Sequence, residues 1–160
     1  MGEPLRNAGG CSSVPFMSEV TRVSPVEAHA KMKDEAFTYV DVRTEEEFEA
    51  GHPEGAVNVP LMLSGAGGMT PNADFVSVMD QAFAKDAPLI VGCKMGGRSA
   101  KAATALITAG FTRVLDQAAG WEGTKGNFGE VLTPGWSRAS LPTEAGRPEG
   151  RSYAALRKRA

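Results

Sequence analysis

Cysteine is scarce: the 160 residues hold two, Cys11 and Cys93. That is too few for a disulfide framework, so stability has to come from a packed core. Positive charge is not in excess either. Lys and Arg number 17 against 19 Asp and Glu, a net charge of -2. This weighs against bulk nucleic-acid binding, which shows a basic excess. No apolar run approaches the roughly 18 residues of a membrane span, and no charged-then-apolar leader opens the chain. Met1 to Arg6 lacks the hydroxyl residue that closes a myristoylation motif. These absences predict a cytoplasmic protein without nucleic-acid or membrane partners, and monomer is the default. Histidine is sparse too. Of His29 and His52, His52 is the one that could serve a Cys-His protease, and nothing orients it.

What is present suits one globular domain. Hydrophobic content of 42% and charge of 22% are ordinary for a soluble core, and domains most often run about 100 to 150 residues. Residues 1–18, rich in Gly, Ser and Pro and holding Cys11, read as a flexible extension, with Met17 as a second candidate start. Residues 19–143 form the expected domain. Residues 144–160 give a polar linker and then a basic segment, Ser152 to Arg159, too short for an independent helix in water. A solvated terminal helix is expected there, a partner-docking tail being the sharper alternative.

Within the domain, strand and helix signals alternate. Thr21-Arg22-Val23, Phe37 to Val42, Ala56 to Val59, Leu89-Ile90-Val91 and Arg113 to Asp116 read as strands. Ser24-Pro25-Val26-Glu27 and Thr44-Glu45-Glu46-Glu47 are capping boxes that start helices. Phe75, Val76, Val78, Met79, Ala82 and Phe83 have helical spacing from Asn72 onward. Gly110 supplies a left-handed helix end after Leu106, with Phe111 folding back. Strands separated by helices of this length predict an α/β domain with a mainly parallel sheet covered on both faces.

The chemistry concentrates after the fourth strand, in Cys93-Lys94-Met95-Gly96-Gly97-Arg98-Ser99. Sites in open parallel sheets lie beyond the carboxyl ends of strands. Gly96 and Gly97 let the backbone curl into an anion-binding concavity, and the helix starting near Ser99 adds its positive terminus. Lys94 and Arg98 add full charges. All of this favours the thiolate, a nucleophile that needs no histidine base. A small buried thiol of no reactivity is the bland alternative. A redox sensor, pairing with Cys11 or glutathione, is another. The glycines of Ser64 to Gly68 are not followed by Gly-Lys-Ser/Thr, so that stretch reads as a plain mobile loop near the pocket rather than a phosphate cradle.

This loop resembles the active loop of the rhodanese family, Cys-x-x-Gly-x-Arg-Ser. Asp41-Val42-Arg43, Glu46-Glu47-Phe48 and Gly51-His52-Pro53-Glu54-Gly55-Ala56 are similar to the family's second signature, Pro53-Glu54 standing where Ile-Pro is usual. Gly120-Trp121, Gly135-Trp136 and Leu141-Pro142 resemble its closing features, and the Gly-rich segment 123–135 is longer than in a minimal member. The resemblance covers roughly residues 19 to 143. It implies a three-layer fold around a five-stranded sheet, and a sulfurtransferase. Cys93 would take a sulfane sulfur from a donor such as thiosulfate and pass it to cyanide or a thiol, with a sulfur-accepting protein as a further implied partner. Lys94, Met95, Gly96, Gly97, Arg98 and Ser99 would bind substrate, Arg98 and Lys94 orienting the departing sulfite. No metal or organic cofactor is required.

Other positions are read more coolly. Asp41 and Arg43 lie at a neighbouring strand end and could line the mouth, but Arg43 pairing with Glu47 as a structural clamp is favoured. His52 and His29 read as packing residues. Trp121 and Trp136 pack the sheet, with Trp121 a possible wall of the pocket. Two rival functions stand beside sulfur transfer. A Cys-x5-Arg phosphatase or arsenate reductase needs a loop one residue longer than the Cys-x4-Arg found here. A non-catalytic module of the same fold would be expected to lose the cysteine.

Overall fold

The computed structural model of the chain describes residues 20–158. The expectations placed on residues 1–18 and on Cys11 lie outside them. In chain order the elements begin with β1 (Thr21–Val23), α1 (Pro25–Asp34), β2 (Thr38–Asp41), α2 (Glu45–Ala50), β3 (His52–Pro53) and β4 (Val57–Asn58). A hairpin follows, β5 (Met62–Gly65) and β6 (Gly68–Pro71), and then α3 (Phe75–Ala82), β7 (Leu89–Gly92), α4 (Gly97–Thr108) and β8 (Val114–Gln117). The chain closes with β9 (Gly123–Lys125), β10 (Val131–Pro134), a 3₁₀ turn at Trp136–Arg138, β11 (Thr143–Glu144) and α5 (Tyr153–Arg157).

Five strands form the central sheet in the order β1-β8-β7-β2-β4, every neighbouring pair parallel. A parallel sheet is covered on both faces, and β7 shows why its sequence is apolar throughout: Leu89, Ile90 and Val91 are all fully buried. Burying each such side chain is worth about 1.5–3 kcal/mol, so this short run anchors the sheet. Side-chain alternation then sorts the residues. Leu89, Val91 and Cys93 pack on one face with Ala102, Ala103 and Leu106 of α4, and with Val78 and Met79 of α3. Ile90 and Tyr39 face the other way, toward Ala28 of α1, Phe48 of α2 and Trp136. Strand parity therefore puts Cys93 on the α4 side.

Both capping boxes form. Ser24 Oγ accepts from the Glu27 amide at 3.0 Å and the Glu27 carboxylate accepts from the Ser24 amide at 2.8 Å. Thr44 and Glu47 repeat the exchange at the start of α2. At the end of α4 the Phe111 amide donates back to Leu106 O at 3.0 Å. Helix α3 starts three residues later than the apolar spacing predicts. Asn72 is committed elsewhere: its Oδ1 accepts from the Asp74 amide, and its Nδ2 donates to Pro60 O and the Tyr153 hydroxyl.

The Gly-rich segment 123–135 pairs β9 with β10. Two segments differ from expectation. The stretch around Ser64 to Gly68 is not a plain loop, because β5 and β6 pair through it as an antiparallel hairpin. The terminal helix is not solvated. Tyr153 and Leu156 are each 2% exposed in the same core cluster as Cys93, and α5 packs on α3. A single apolar stripe at i and i+3 lets this short helix dock on its own domain, which supplies the stability it lacks alone. The linker is tied as well: β11 pairs with β3, and Arg151 clamps Glu144.

Candidate active site

The parity of β7 carries Cys93 to the sheet's carboxyl edge, and the chain must then turn sharply into α4. Gly96 makes the turn at φ +104°, a left-handed conformation open to glycine, and a Cβ there would meet Ala118 O at 2.5 Å. The Gly96 amide consequently points inward and donates to Cys93 Sγ at 3.1 Å. Among the described residues it is the one loop amide that bonds the sulfur, fewer than the inward ring the glycines suggest. Ser99 is fully buried and its hydroxyl donates to Gly96 O at 3.2 Å, fastening the start of α4.

A second segment, unforeseen from the sequence, braces the loop from behind. The amides of Trp121 and Glu122 donate to the carbonyls of Cys93 and Lys94 at 2.7 and 2.9 Å. Gly120 permits this approach, since a Cβ there would lie 2.6 Å from both carbonyl oxygens. Gln117 fixes the turn from β8, accepting from the Gly120 amide and donating to Gly120 O and to the Tyr39 hydroxyl.

Cys93, only 2% exposed, forms part of the floor of a groove of about 380 Å³. Lys94, Met95, Gly97 and Arg98 line the groove with it, as the loop reading expects, while Gly96 and Ser99 do not. Leu61, just before β5, and Met62 and Met69 of the β5–β6 hairpin form an apolar wall, and Lys101 comes from the first turns of α4. None of these four was picked out from the sequence. Met62 and Met69 lie 31 and 24 positions before Cys93 in the chain, and no local signal marks either as a lining residue.

The charges pair differently from expectation. Arg43 does not clamp Glu47. Its Nε and Nη2 bind the Asp41 carboxylate at 2.9 and 2.6 Å, and Nη2 also donates to Gly51 O at 2.6 Å. Asp41 and Arg43 are both buried, and two residues apart at a strand end they satisfy each other before either can reach the helix. Arg43 also stacks over Trp121 at 5.1 Å, and the two line a smaller hollow of about 210 Å³ on the far side of Lys94. Glu47 instead grips Arg98 through two bonds of 2.7 and 3.1 Å. Burial pushes the Glu47 carboxyl up, but the Arg98 and Thr44 hydrogen bonds outweigh it and hold the group down at about 2. Arg98 is thus positioned at the groove with its charge largely matched. Lys94 lies 3.7 Å from Glu122, a looser pair.

His52 and His29 are packing residues. The His52 ring stacks on Phe48 at 3.6 Å and is held by Phe48 O and Glu144, and His29 meets Trp136 edge-on. Trp136 is fully buried. Behind the loop, Asp116 is 1% exposed, and both carboxylate oxygens lack a hydrogen-bond partner among the described residues. Burial raises its carboxyl above the usual range, offset in part by Ser99 and by Arg22 at 3.8 Å. No group of three or more potential metal ligands occurs among the described residues, and no helix there is long and apolar enough to cross a membrane.

Comparison with known proteins follows the same lines. Residues 24–127 match the family description "Rhodanese-like domain". Thiosulfate sulfurtransferase 16, chloroplastic, of Arabidopsis thaliana is 45% identical over 107 residues, which cover 67% of this chain and 79% of that protein. Senescence-associated protein DIN1 of Raphanus sativus is 41% identical over 97 residues, 61% of this chain but 53% of the relative. The chain thus spans about half the length of that second relative. Among solved structures, Rv0390 from M. tuberculosis superposes with a TM-score of 0.68 at 28% identity, over 81% of this chain and all of the other.

Proposed function

The chain belongs to the rhodanese-like domain family, and from that premise we propose that it is a sulfurtransferase working through a persulfide on Cys93. One observation carries the reading: Sγ is held at the floor of an open groove by the Gly96 amide, with cations along the rim. An inert core thiol has neither a groove beside it nor an amide aimed at it.

The chemistry runs in two displacements. As the thiolate, Cys93 attacks the outer sulfur of thiosulfate. A Sγ–S bond forms, the donor's S–S bond breaks, and sulfite leaves with the electron pair. The persulfide anion then occupies the loop, where the Gly96 N–H and the positive end of α4 offset its charge. Cyanide or a thiolate next attacks the outer sulfur, and Cys93 departs as thiolate, ready for another turnover. Each step conserves electrons, so no oxidant is needed. Lys94, Lys101 and Arg98 supply the positive field that draws the anionic donor and releases sulfite. Asp41 and Arg43, bound to each other, shape the neighbouring strand end and take no part in transfer.

Mixing the protein with thiosulfate is expected to add one sulfur atom to the intact mass, and adding cyanide to remove it as thiocyanate. Cys93→Ser abolishes both. Hydrolysis of a phosphate ester with no sulfur uptake would overturn the assignment.

A further inference from the structure

We propose that two copies of this chain dock through the tip of the β9–β10 hairpin, Phe128 of each copy entering the groove over Cys93 of the other. The pairing goes beyond the sulfur-transfer reading. It concerns what covers the groove, and it holds whichever chemistry Cys93 performs.

The knob is the first observation. Phe128 is 94% exposed and Leu132, on β10, is 64% exposed, yet the turn that carries Phe128 is fixed. The Gly126 amide donates to Glu130 O at 2.8 Å and the Gly129 amide to Gly126 O at 3.1 Å. The Phe128 amide donates to the Glu130 carboxylate at 3.0 Å. Scattered exposed apolar side chains are ordinary. An aromatic ring held out in water by an ordered turn is different, because the backbone ordering that binding would require is already met.

The socket is the second. Leu61, Met62, Met69 and Met95 surround an open groove of about 380 Å³, and Met69 and Met95 stay half-exposed. Thioether side chains adapt to irregular partners and pack well against aromatic rings. A phenyl ring is the kind of group that such a lining accepts.

Charge and placement select a second copy as the occupant. Glu130 beside the knob and Lys101 beside the socket are, among the described residues, in no ion pair. Seating the ring brings that carboxylate toward that ammonium, a complementarity that fixes orientation. The Trp121 and Glu122 amides hold the root of β9 against the carbonyls of Cys93 and Lys94. Knob and socket therefore share the carboxyl edge of the sheet, one to each side of Lys94. A two-fold axis between them seats both rings at once and closes the pair, so no open filament grows. The monomer expected from the sequence then holds in dilute solution only, and Cys93 is covered in the paired form.

The test is sedimentation velocity of the full chain over a concentration series, joined to the rate at which iodoacetamide alkylates Cys93. Alkylation is read on the Cys93 peptide, so that Cys11 does not count. So small a contact belongs with the weak interfaces, and a dissociation constant of about 10 µM to 1 mM is expected. At a total concentration tenfold above that constant, mass action leaves about one chain in five unpaired, and alkylation should slow about fivefold. Phe128→Ser alters a side chain that lies in water, so the variant should fold. It should stay monomeric, with alkylation independent of concentration and sulfur uptake in dilute solution equal to the parent's. Lys101→Glu sets like charges face to face and should weaken association at least about tenfold. A chain still monomeric at about 1 mM would overturn the docking. So would association that leaves Cys93 alkylation unchanged, or that survives either variant. None of these outcomes touches the sulfur-transfer reading, which sulfur uptake by the dilute protein tests separately.

Discussion

Two carboxylates near Cys93 respond to their surroundings in opposite directions, and their pH dependences follow with opposite sign. Glu47 is held down at about 2 because the Arg98 and Thr44 hydrogen bonds overcome its desolvation. Its contribution is therefore fully present above the ordinary glutamate value of about 4.3 and is lost as pH falls toward the folded value. Glu47→Gln keeps the shape but removes the charge. The loss expected at pH 7 is about 1.5–3 kcal/mol at most, the range for a hydrogen bond to a charged group, reduced by the pair's partial exposure and measured by urea denaturation. The gap to the parent protein should narrow steadily below pH 4.5. Asp116 behaves the other way. Burial raises its carboxyl, with Ser99 and Arg22 only partly offsetting, so the fold is penalised once pH rises past the unfolded aspartate value of about 3.9. Asp116→Asn should raise the denaturation midpoint at pH 7 and lose that advantage below about pH 4. An unchanged midpoint at pH 7 would mean that the carboxylate finds water or a partner in solution.

The loop between β7 and α4 works as one piece, because its geometry is over-determined from two directions. Gly96 aims its amide at the sulfur, and the segment after β8 takes the carbonyls of Cys93 and Lys94 from behind. Gly96→Ala asks an L-residue to hold φ +104° with its Cβ 2.5 Å from Ala118 O. The left-handed conformation alone costs about 1–2 kcal/mol, and relieving the overlap must move the loop. Sulfur uptake by Cys93 is expected to fall at least tenfold while the far-ultraviolet circular dichroism spectrum stays that of a folded α/β protein. Full uptake by the variant would show that the amide does not matter. The turn glycine, the cysteine after an apolar strand and both capping boxes could be read from sequence, since each is a local pattern. The local pattern marks Glu47 as the N3 residue of a capping box, which it is. Its second bond, to Arg98, lies 51 positions away, and nothing local distinguishes that partner from Arg43. The methionine wall and the bracing of the loop by the Trp121 and Glu122 amides have no local signature for the same reason. Hairpin pairing and the crossing of Trp121 behind Cys93 are decided by which surfaces meet after folding.

Helix α5 docks on the domain and reaches the groove through a chain of contacts. From α5, the Tyr153 hydroxyl accepts from Asn72 Nδ2 at 3.0 Å, and the Asn72 amide donates to Leu61 O at 2.9 Å. Leu61 lines the groove, and Asn72 follows directly on β6 of the hairpin that carries Met62 and Met69. On the opposite flank, Arg151 O accepts from the Asn58 amide, and Glu49 O accepts from the Gly146 amide, tying the linker to β4 and α2. Helix α5 has five residues and cannot hold together unaided, so its docking depends on Tyr153 and Leu156 sharing the core of α3. Leu156→Ala leaves a cavity that a rigid sheet and helix close only in part. A cost of about 2–5 kcal/mol is expected, against a typical whole-domain stability of about 5–15 kcal/mol. At about 2–4 °C per kcal/mol the melting temperature should fall clearly in calorimetry. The loop around Cys93 keeps its own braces, so the folded variant should still add one sulfur from thiosulfate. A melting temperature unmoved by Leu156→Ala would mean that the tail leaves its groove in solution, and that the hairpin stands without it.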